Sequence, residues 1–331
     1  MPYPVGPAPR RALIVANPAA GGYHPDLVEQ LAARCDELTG AVTVHRTTGP
    51  GDATDAVHRA VTKEPADQRP GVIVAVGGDG TVREIAEGLL RQGNLDRRAA
   101  LLVVPAGSAN SDYRMFWDDR PWQEAVSMAL GPEQRARLRR VDLARLAQTG
   151  AHVLLGSCTG LGAQLLATLA SVPGTGRERY ARALAETAAD FRPYPGRVTV
   201  DGAVLAEGPT VLVNVGGGRH RAGQYLLLPH SEPDDGLLDV CVIGDIDPVL
   251  VPRLTRDGAH LGLPGTAYGR GRRIVVERLD GEGLALEHDG EPQDRFGPKA
   301  TFDVVPRALP VWAAPPRRWD RPAARPAVRG E

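Results

Sequence analysis

The chain has 331 residues, with 39 basic and 40 acidic side chains and a formal net charge of -1, a balance that carries no electrostatic footprint for nucleic acid. At this length, with 42% hydrophobic residues, it can bury two full cores, while no apolar run approaches the length of a membrane span. Its three cysteines, Cys35, Cys158 and Cys241, sit in apolar stretches without motif spacing, which predicts buried thiols in a reducing compartment rather than disulfides or zinc ligands.

The opening MPYPVGPAPRR has no apolar h-region, so the expectation is a cytoplasmic protein without a signal peptide. Apolar strands are then predicted at 12–16, 41–45, 72–76 and 100–104, each followed by a helical pattern, at 26–38, 52–61, 81–90 and 121–130. This alternation predicts an α/β unit with a parallel sheet over 1–136. Beyond residue 137 the pattern changes. Strands are expected at 139–146 and 153–157, helices at 162–170 and 177–191, and a series of short strands at 198–200, 210–215, 225–228, 237–243, 273–278, 284–288 and 301–305. That reads as a β-sandwich-rich unit over 137–314, with a disordered Pro/Arg-rich tail over 315–331.

Three of the four N-terminal strands run into loops of small residues: NPAAGG (17–22), GGDGT (77–81) and PAGSAN (105–110). Ligands of open α/β sheets bind beyond the carboxyl ends of strands, and all three loops fall at that edge. In VGGDGTVREIAEGL the glycine loop opens directly into an amphipathic helix, with Thr81 and Glu84 at capping-box spacing and Thr81 as the expected N-cap. Strand, glycine loop and helix N-terminus aim backbone N–H groups at one point, which suits a phosphate. Asp79 then needs a metal ion or a proton beside that phosphate, unless the loop is only a tight turn. With Lys63 and Lys299 as the only lysines, none after a glycine run, a Walker-type P-loop is excluded. PDDGLLD offers Asp234, Asp235 and Asp239, oxygen donors that suit a hard cation or, on spacing alone, a solvated turn. The aromatic cluster Tyr113, Phe116, Trp117 and Trp122 reads as core packing before it reads as a membrane-facing surface.

NPAAGG, VGGDGTVREIAEGL, PAGSANSDYR, PDDGLLDVCVIG and EHDGEP resemble, in this order, the motif series of the diacylglycerol kinase catalytic-domain family, over roughly residues 11–311. The resemblance implies a 6-phosphofructokinase-like α/β domain and a β-sandwich domain, with ATP and Mg2+ in the cleft between them. It implies that Asn17 approaches the nucleotide, that Gly77, Gly78, Gly80 and Thr81 cradle its phosphates, and that Gly107, Ser108 and Asn110 complete the nucleotide wall. Asp79 would face the metal-bound triphosphate. Asp289 and Glu291 would return from the second domain, with Asp289 as general base for an acceptor hydroxyl. Relatives hold a magnesium ion near the loop of Asp234, Asp235 and Asp239. The chain departs from the family pattern at Ser111, where an Asp is usual, at Glu87, and at Arg219, His220 and Arg221, where small or apolar residues are usual.

The reading is therefore an ATP-dependent kinase for the hydroxyl of a lipid, diacylglycerol or a sphingoid-type alcohol. Its rivals are a kinase for a small soluble alcohol, favoured by the basic 219–221 loop, an NAD kinase, and a catalytically silent nucleotide-binding regulator. An NAD kinase should carry an Asn-Glu dipeptide on a later loop, and none is present. The expected partners are a lipid or small alcohol acceptor and no nucleic acid, with room for peripheral membrane contact and for a homodimer. Leu161, Leu165, Leu166 and Leu169 are either an acceptor path or core, and Arg177, Arg179 and Arg182 either an anion-binding face or a solvated one.

Overall fold

Short runs of branched apolar residues, each followed by a helix with one apolar face, build the first half of the molecule. The computed structural model describes residues 11–91, 99–174, 176–293 and 296–315; the expected tail from 316 onward lies outside them. The elements run β1 (Ala12–Ala16), α1 (Pro25–Thr39), β2 (Val42–Arg46), α2 (Asp52–Thr62), β3 (Val72–Gly77), α3 (Asp79–Leu90), β4 (Ala100–Pro105), α4 (Ser111–Trp117) and α5 (Trp122–Leu130). The four strands are parallel, in the order β2-β1-β3-β4. β1 and β3 are buried along their whole length, as near-continuous apolar strands covered on both faces must be. The chain leaves β1 for β2 on one side and returns to β3 on the other, so the topological switch point lies between β1 and β3.

The second half contains β5 (Arg137–Leu146), β6 (His152–Val153), β7 (Ser157–Gly160), α6 (Leu161–Ser171), α7 (Gly176–Asp190), β8 (Tyr194–Val200), β9 (Ala203–Thr210) and β10 (Leu212–Gly216). β11 (His220–Arg221), β12 (Tyr225–Leu226), β13 (Leu238–Ile243), α8 (Val251–Leu254), β14 (Thr266–Gly271), β15 (Arg273–Arg278), β16 (Leu286–His288), β17 (Glu291–Gln293) and β18 (Lys299–Ala313) follow. One antiparallel sheet has the order β14-β13-β10-β7-β16-β17. Its inner face packs Val213, Val215, Leu238 and Val240 into one core with Val198, Ile274, Val276 and Phe302 of the antiparallel wing β18-β15-β8-β9. The mixed α/β class with a C-terminal sandwich is as expected from the sequence.

β18 and β5 form a long antiparallel ribbon that belongs to both halves. Residues 299–303 of β18 pair with β15, and Val311 pairs in parallel with Leu101 of β4, so the parallel sheet continues into the antiparallel wing. Val141, Leu143, Leu309 and Val311 join the N-terminal core, whereas Ala144, Leu146, Ala300 and Phe302 join the second.

Several local expectations change. Thr81 is not the N-cap of its helix: α3 starts at Asp79 with Gly78 in the cap position, extended at φ -91°. Gly78 O takes the N–H groups of Thr81 and Val82, so the turn closes without a side-chain cap. β9 and β14 escape periodicity because AVLAEGPT and TAYGRG carry glycine, proline and exposed positions rather than an alternating apolar face. The strand expected at 225–228 is reduced to Tyr225–Leu226. All three cysteines are buried and free, and Tyr113, Phe116 and Trp117 are core. Leu161 and Leu165 are core as well, and Arg179 and Arg182 tie the α6–α7 turn through the carbonyls of Leu169, Val172 and Pro173.

Helices α2 and α3 touch at Gly88, where an added Cβ would stand 2.6 Å from Thr54 O and 2.8 Å from Val57 Cβ. Gly88→Ala is expected to force the helices apart and to cost about 1–3 kcal/mol in chemical denaturation, against the usual gain from a helical alanine.

Candidate active site

The carboxyl ends of the parallel strands place their loops along one edge, where three contacts lock them together. Asn17, just past β1, donates its Nδ2 to Thr81 Oγ1 at 3.0 Å and accepts Ala19 N on Oδ1 at 2.9 Å. This pair spans the switch point between β1 and β3. Gly22 N donates to Ala106 O at 2.8 Å, joining the first loop to the one after β4. The closest approach is between Gly78 and Gly107, where a Cβ on Gly107 would lie 2.2 Å from Gly78 Cα. No side chain fits between these backbones. Asn110, in the left-handed region at φ 53°, closes its own turn by accepting Gly107 N and donating to Gly107 O, both at 2.8 Å.

A cleft of about 620 Å³ opens over these loops. Asn17, Gly78, Gly80, Thr81, Gly107 and Ser108 line it, and Glu291 reaches it from β17. Gly80 faces open space, with only Glu291 Oε1 within 4.0 Å of an added Cβ. Gly77 and Asn110 shape the floor rather than the wall, Gly77 because its Cβ position is filled by Thr81 Oγ1 at 2.5 Å. The leading N–H groups of α3 have no carbonyl ahead of them, so this end of the cleft is suited to a phosphate.

Two contributors escaped the sequence reading. Thr47, Thr48, Gly49 and Pro50, after β2, form the fourth loop of the same edge. TTGPGD has the same small, turn-forming composition as the other three, and its position after a strand was the available signal. Arg83, one turn into α3, also lines the cleft, its guanidinium 3.5 Å from Glu291 Oε1 and 4.0 Å from Glu87 Oε2. It supplies positive charge where no lysine is present.

Behind the cleft lies a set of carboxyl groups. Asp79 turns away from it: its Oδ1 accepts Asp112 N at 3.1 Å, and burial raises its pKa against hydrogen bonds from Asp112 and Ser111. Asp112 is 1% exposed, and burial, then Asp79 and Asp289, push its pKa well above the ordinary carboxylate value, which favours its protonated form beside Asp79. Asp289, at φ 49° in a turn from β16 to β17, is nested in backbone amides. Oδ2 accepts Leu154 N at 2.9 Å, and Oδ1 accepts Leu155 N at 2.8 Å and Gly156 N at 3.2 Å. Burial acts upward on its pKa, but the His288 side chain, the Leu154 amide and the Arg221 charge outweigh it and hold it below the usual value.

Asp234, Asp235 and Asp239 do not converge on one point and are not walls of the cleft. Arg139 holds Asp234 through both oxygens, with Nε to Oδ2 at 2.9 Å. Arg270 takes Asp235, and its Nε lies 3.2 Å from Asp239 Oδ1, which also accepts Tyr268 Oη at 2.7 Å. Asp142 beside them accepts Gly236 N and Arg307 N. Among the described residues no group of three His, Cys, Asp or Glu side chains converges to hold a metal ion. Guanidinium groups hold both oxygens of Asp234 and one oxygen each of Asp235 and Asp239, while Asp239 Oδ2 is buried without a partner. The cleft does fit a phosphate chain at Gly80, where the missing side chain leaves open space, while Gly78 and Gly107 close its base by packing on each other.

Fold and site define a protein with an α/β half whose glycine loops open a cleft at the switch point of its sheet and a β-sandwich half that returns an acidic turn to the same place. The model of the diacylglycerol kinase catalytic domain matches residues 11–145, and that of the YegS C-terminal NAD kinase beta sandwich-like domain matches 159–313. A Pseudomonas aeruginosa protein named "Probable lipid kinase YegS-like" is 30% identical over 295 residues, which span 83% of this chain and 89% of that one. A Bacillus subtilis protein named "Diacylglycerol kinase" is 26% identical over 288 residues, 85% of this chain and 90% of that one. A crystal structure of a diacylglycerol kinase from Bacillus anthracis shares the fold, with a TM-score of 0.67 at 20% identity, over 93% of this chain and 98% of that chain. The chain belongs to the diacylglycerol kinase catalytic-domain family. It is an enzyme of the ATP-dependent phosphotransferase class.

Two outcomes follow from this geometry. Gly80→Asp places a carboxylate against the phosphate path; at about 4 Å and an effective dielectric of about 20 the repulsion is ~4 kcal/mol, so ATP affinity by calorimetry should fall by roughly 10²–10³ with the fold intact. Arg139→Ala, which breaks a partly exposed pair with Asp234, should cost about 1 kcal/mol in chemical denaturation.

Proposed function

We propose that the protein transfers the γ-phosphoryl group of ATP to the hydroxyl of a lipid alcohol, of the diacylglycerol or sphingoid type. The observation that carries this reading is the meeting of two distant segments: Glu291, two residues past Asp289, stands against Gly80 and Arg83 at the phosphate end of the cleft. A phosphate donor held by the glycine loops and an acceptor brought in beside the 289–291 turn would face each other there. The names of the relatives, lipid kinase and diacylglycerol kinase, favour a lipid as the acceptor. No described helix is long and apolar enough to cross a membrane, so the enzyme would meet its substrate from the aqueous side.

In this reading Gly80 admits the triphosphate, Gly78 and Gly107 close the base beneath it, Thr81 and Asn17 hold the loop closed around it, and Arg83 offsets its charge. Bound ATP would supply the activated phosphoryl group, and magnesium would offset the charge of its phosphates. Asp289 is the base that receives the hydroxyl proton. Three amide donors hold its two oxygens and, with His288 beside Oδ2, leave it a low basicity. A weak base suffices, because the loose transition state of phosphoryl transfer releases the proton late and relies on positioning and charge neutralisation. The soluble-alcohol alternative loses the Arg221 part of its support at 219–221, since Arg221 is buried, whereas Arg219 is exposed and donates Nε to Ser231 O.

Asp289→Asn should lower kcat by about 10²–10⁴-fold, the usual worth of a positioned base, while ATP affinity changes little. Turnover within a few-fold of wild type would remove Asp289 from this role. Purified protein with ATP and magnesium, offered diacylglycerol, sphingosine or ceramide in mixed micelles beside soluble polyols and aminoalcohols, decides the acceptor. Transfer to a soluble alcohol alone would overturn the lipid reading.

A further inference from the structure

Arg221 is the departure from the family pattern that the phosphate cleft does not account for. It lies in the short hairpin of β11 and β12, where a small residue is usual, yet its side chain is only 9% exposed and forms an ion pair with Glu287, whose side chain is 6% exposed. Glu287 spends its remaining capacity on the turn that follows it. Oε1 also accepts Cys158 N at 3.0 Å, and Oε2 accepts Gly290 N at 2.8 Å. Gly290 is the middle residue of the Asp289–Glu291 turn. Its neighbour Asp289 is in the left-handed region, a conformation that a non-glycine residue keeps only when its surroundings hold it.

The same hairpin is fastened at its other end to the nucleotide side. Gly223 N donates to Ser111 Oγ at 2.9 Å, and Arg114 Nη1 donates to Gly223 O at 2.6 Å. Gly223, at φ 66°, leaves no room for a side chain, since a Cβ would meet Ala109 O at 2.2 Å. Residues 221–223 therefore form a strap from the loop after β4 to the turn carrying Asp289. We propose that Arg221 is a positioning residue for phosphoryl transfer: through Glu287 and the Gly290 amide it sets the Asp289–Glu291 turn against the nucleotide loops, and Ser111 anchors the strap on which it sits.

This rests on the reading of Asp289 as the base, and the test separates the two. The charged and titratable groups facing Asp289 are Arg221 from β11, His288 from its own strand, and Asp112 from α4; the 154–156 segment contributes only amides. Removing the Arg221 charge raises the Asp289 pKa, so the acid limb of the kcat profile should move to higher pH, a change that loosened packing alone would not produce. Arg221→Met should lower kcat by roughly 10–100-fold, the cost of a displaced reacting group, with ATP affinity held within about threefold. Hydrogen exchange in the peptide spanning 287–291 should accelerate by at least roughly tenfold as the turn loses its tether.

Breaking a buried pair leaves Glu287 uncompensated, so Arg221→Met/Glu287→Gln, which removes both charges, is read alongside. It should fold, lose turnover and exchange faster at the same peptide. Arg221→Lys keeps the charge without the fork, and should retain the wild-type acid limb with an intermediate kcat. Wild-type exchange and a kcat within about threefold in the folded variants would overturn the proposal. Should the wild-type protein phosphorylate no alcohol, the kinase reading fails, and the exchange experiment alone decides the tether.

Discussion

The ribbon of Arg137–Leu146 against Lys299–Ala313 is the constraint on which the site depends. Its strands contribute side chains to both hydrophobic cores, and it carries the parallel sheet directly into the sandwich. Two halves linked by a loop would move relative to each other by default. A shared pair of strands makes such motion break backbone hydrogen bonds. The turn at 289–291 lies about two hundred residues from the glycine loop in sequence, and only this fixed relation lets Glu291 stand within reach of Arg83 and Gly80.

Within the α/β half, the cleft is made by what the loops lack. Gly78 and Gly107 approach so closely that any side chain at Gly107 would collide with the opposite backbone. Loops that pack backbone on backbone leave the N–H groups at the start of α3 facing the cleft instead of covered. The polar side chains serve this arrangement: Asn17 and Thr81 bond to each other across the switch point, and Asn110 bonds to its own turn. The cleft is thus a property of backbone geometry, with Arg83 as a basic side chain in its lining.

That explains how much could be read from the sequence. Glycine loops after apolar strands are legible because they mark both a turn requirement and a strand end, and three of the four were found; TTGPGD was passed over because its threonines and proline resemble an ordinary loop. The sandwich was legible as a class, but β9 and β14 were not, since strands with glycines and exposed positions carry no apolar alternation. Thr81 fitted a capping box by spacing, yet tertiary contact with Asn17 uses its hydroxyl and Gly78 takes the cap. The partners of Asp234, Asp235 and Asp239 were not legible at all. Arg139 lies ninety-five residues from Asp234, and no local pattern announces a pair of that separation.

The departures from the family pattern become intelligible as a balance of charge. Asp79, Asp112, Glu287 and Asp289 crowd one region, and burial, then Asp79 and Asp289, raise the pKa of Asp112 and so disfavour a further negative charge there. An aspartate at position 111, beside Asp79 and Asp112, would add to that repulsion, whereas Ser111 donates to Asp79 and accepts from Gly223 without bringing charge. Arg221 supplies positive charge within the same region; burial weighs against that charge, but Glu287 and Asp289 outweigh it. Neither replacement is independent of the other, because Ser111 anchors the strap that carries Arg221. A chain that kept Arg221 with an aspartate at 111 would have the charge but a more strained anchor. One that kept Ser111 with a small residue at 221 would leave Glu287 buried and unpaired. The two positions are therefore expected to change together, and a double-mutant cycle between them should show coupling of about 1–3 kcal/mol in unfolding free energy, although their side chains belong to different halves of the protein.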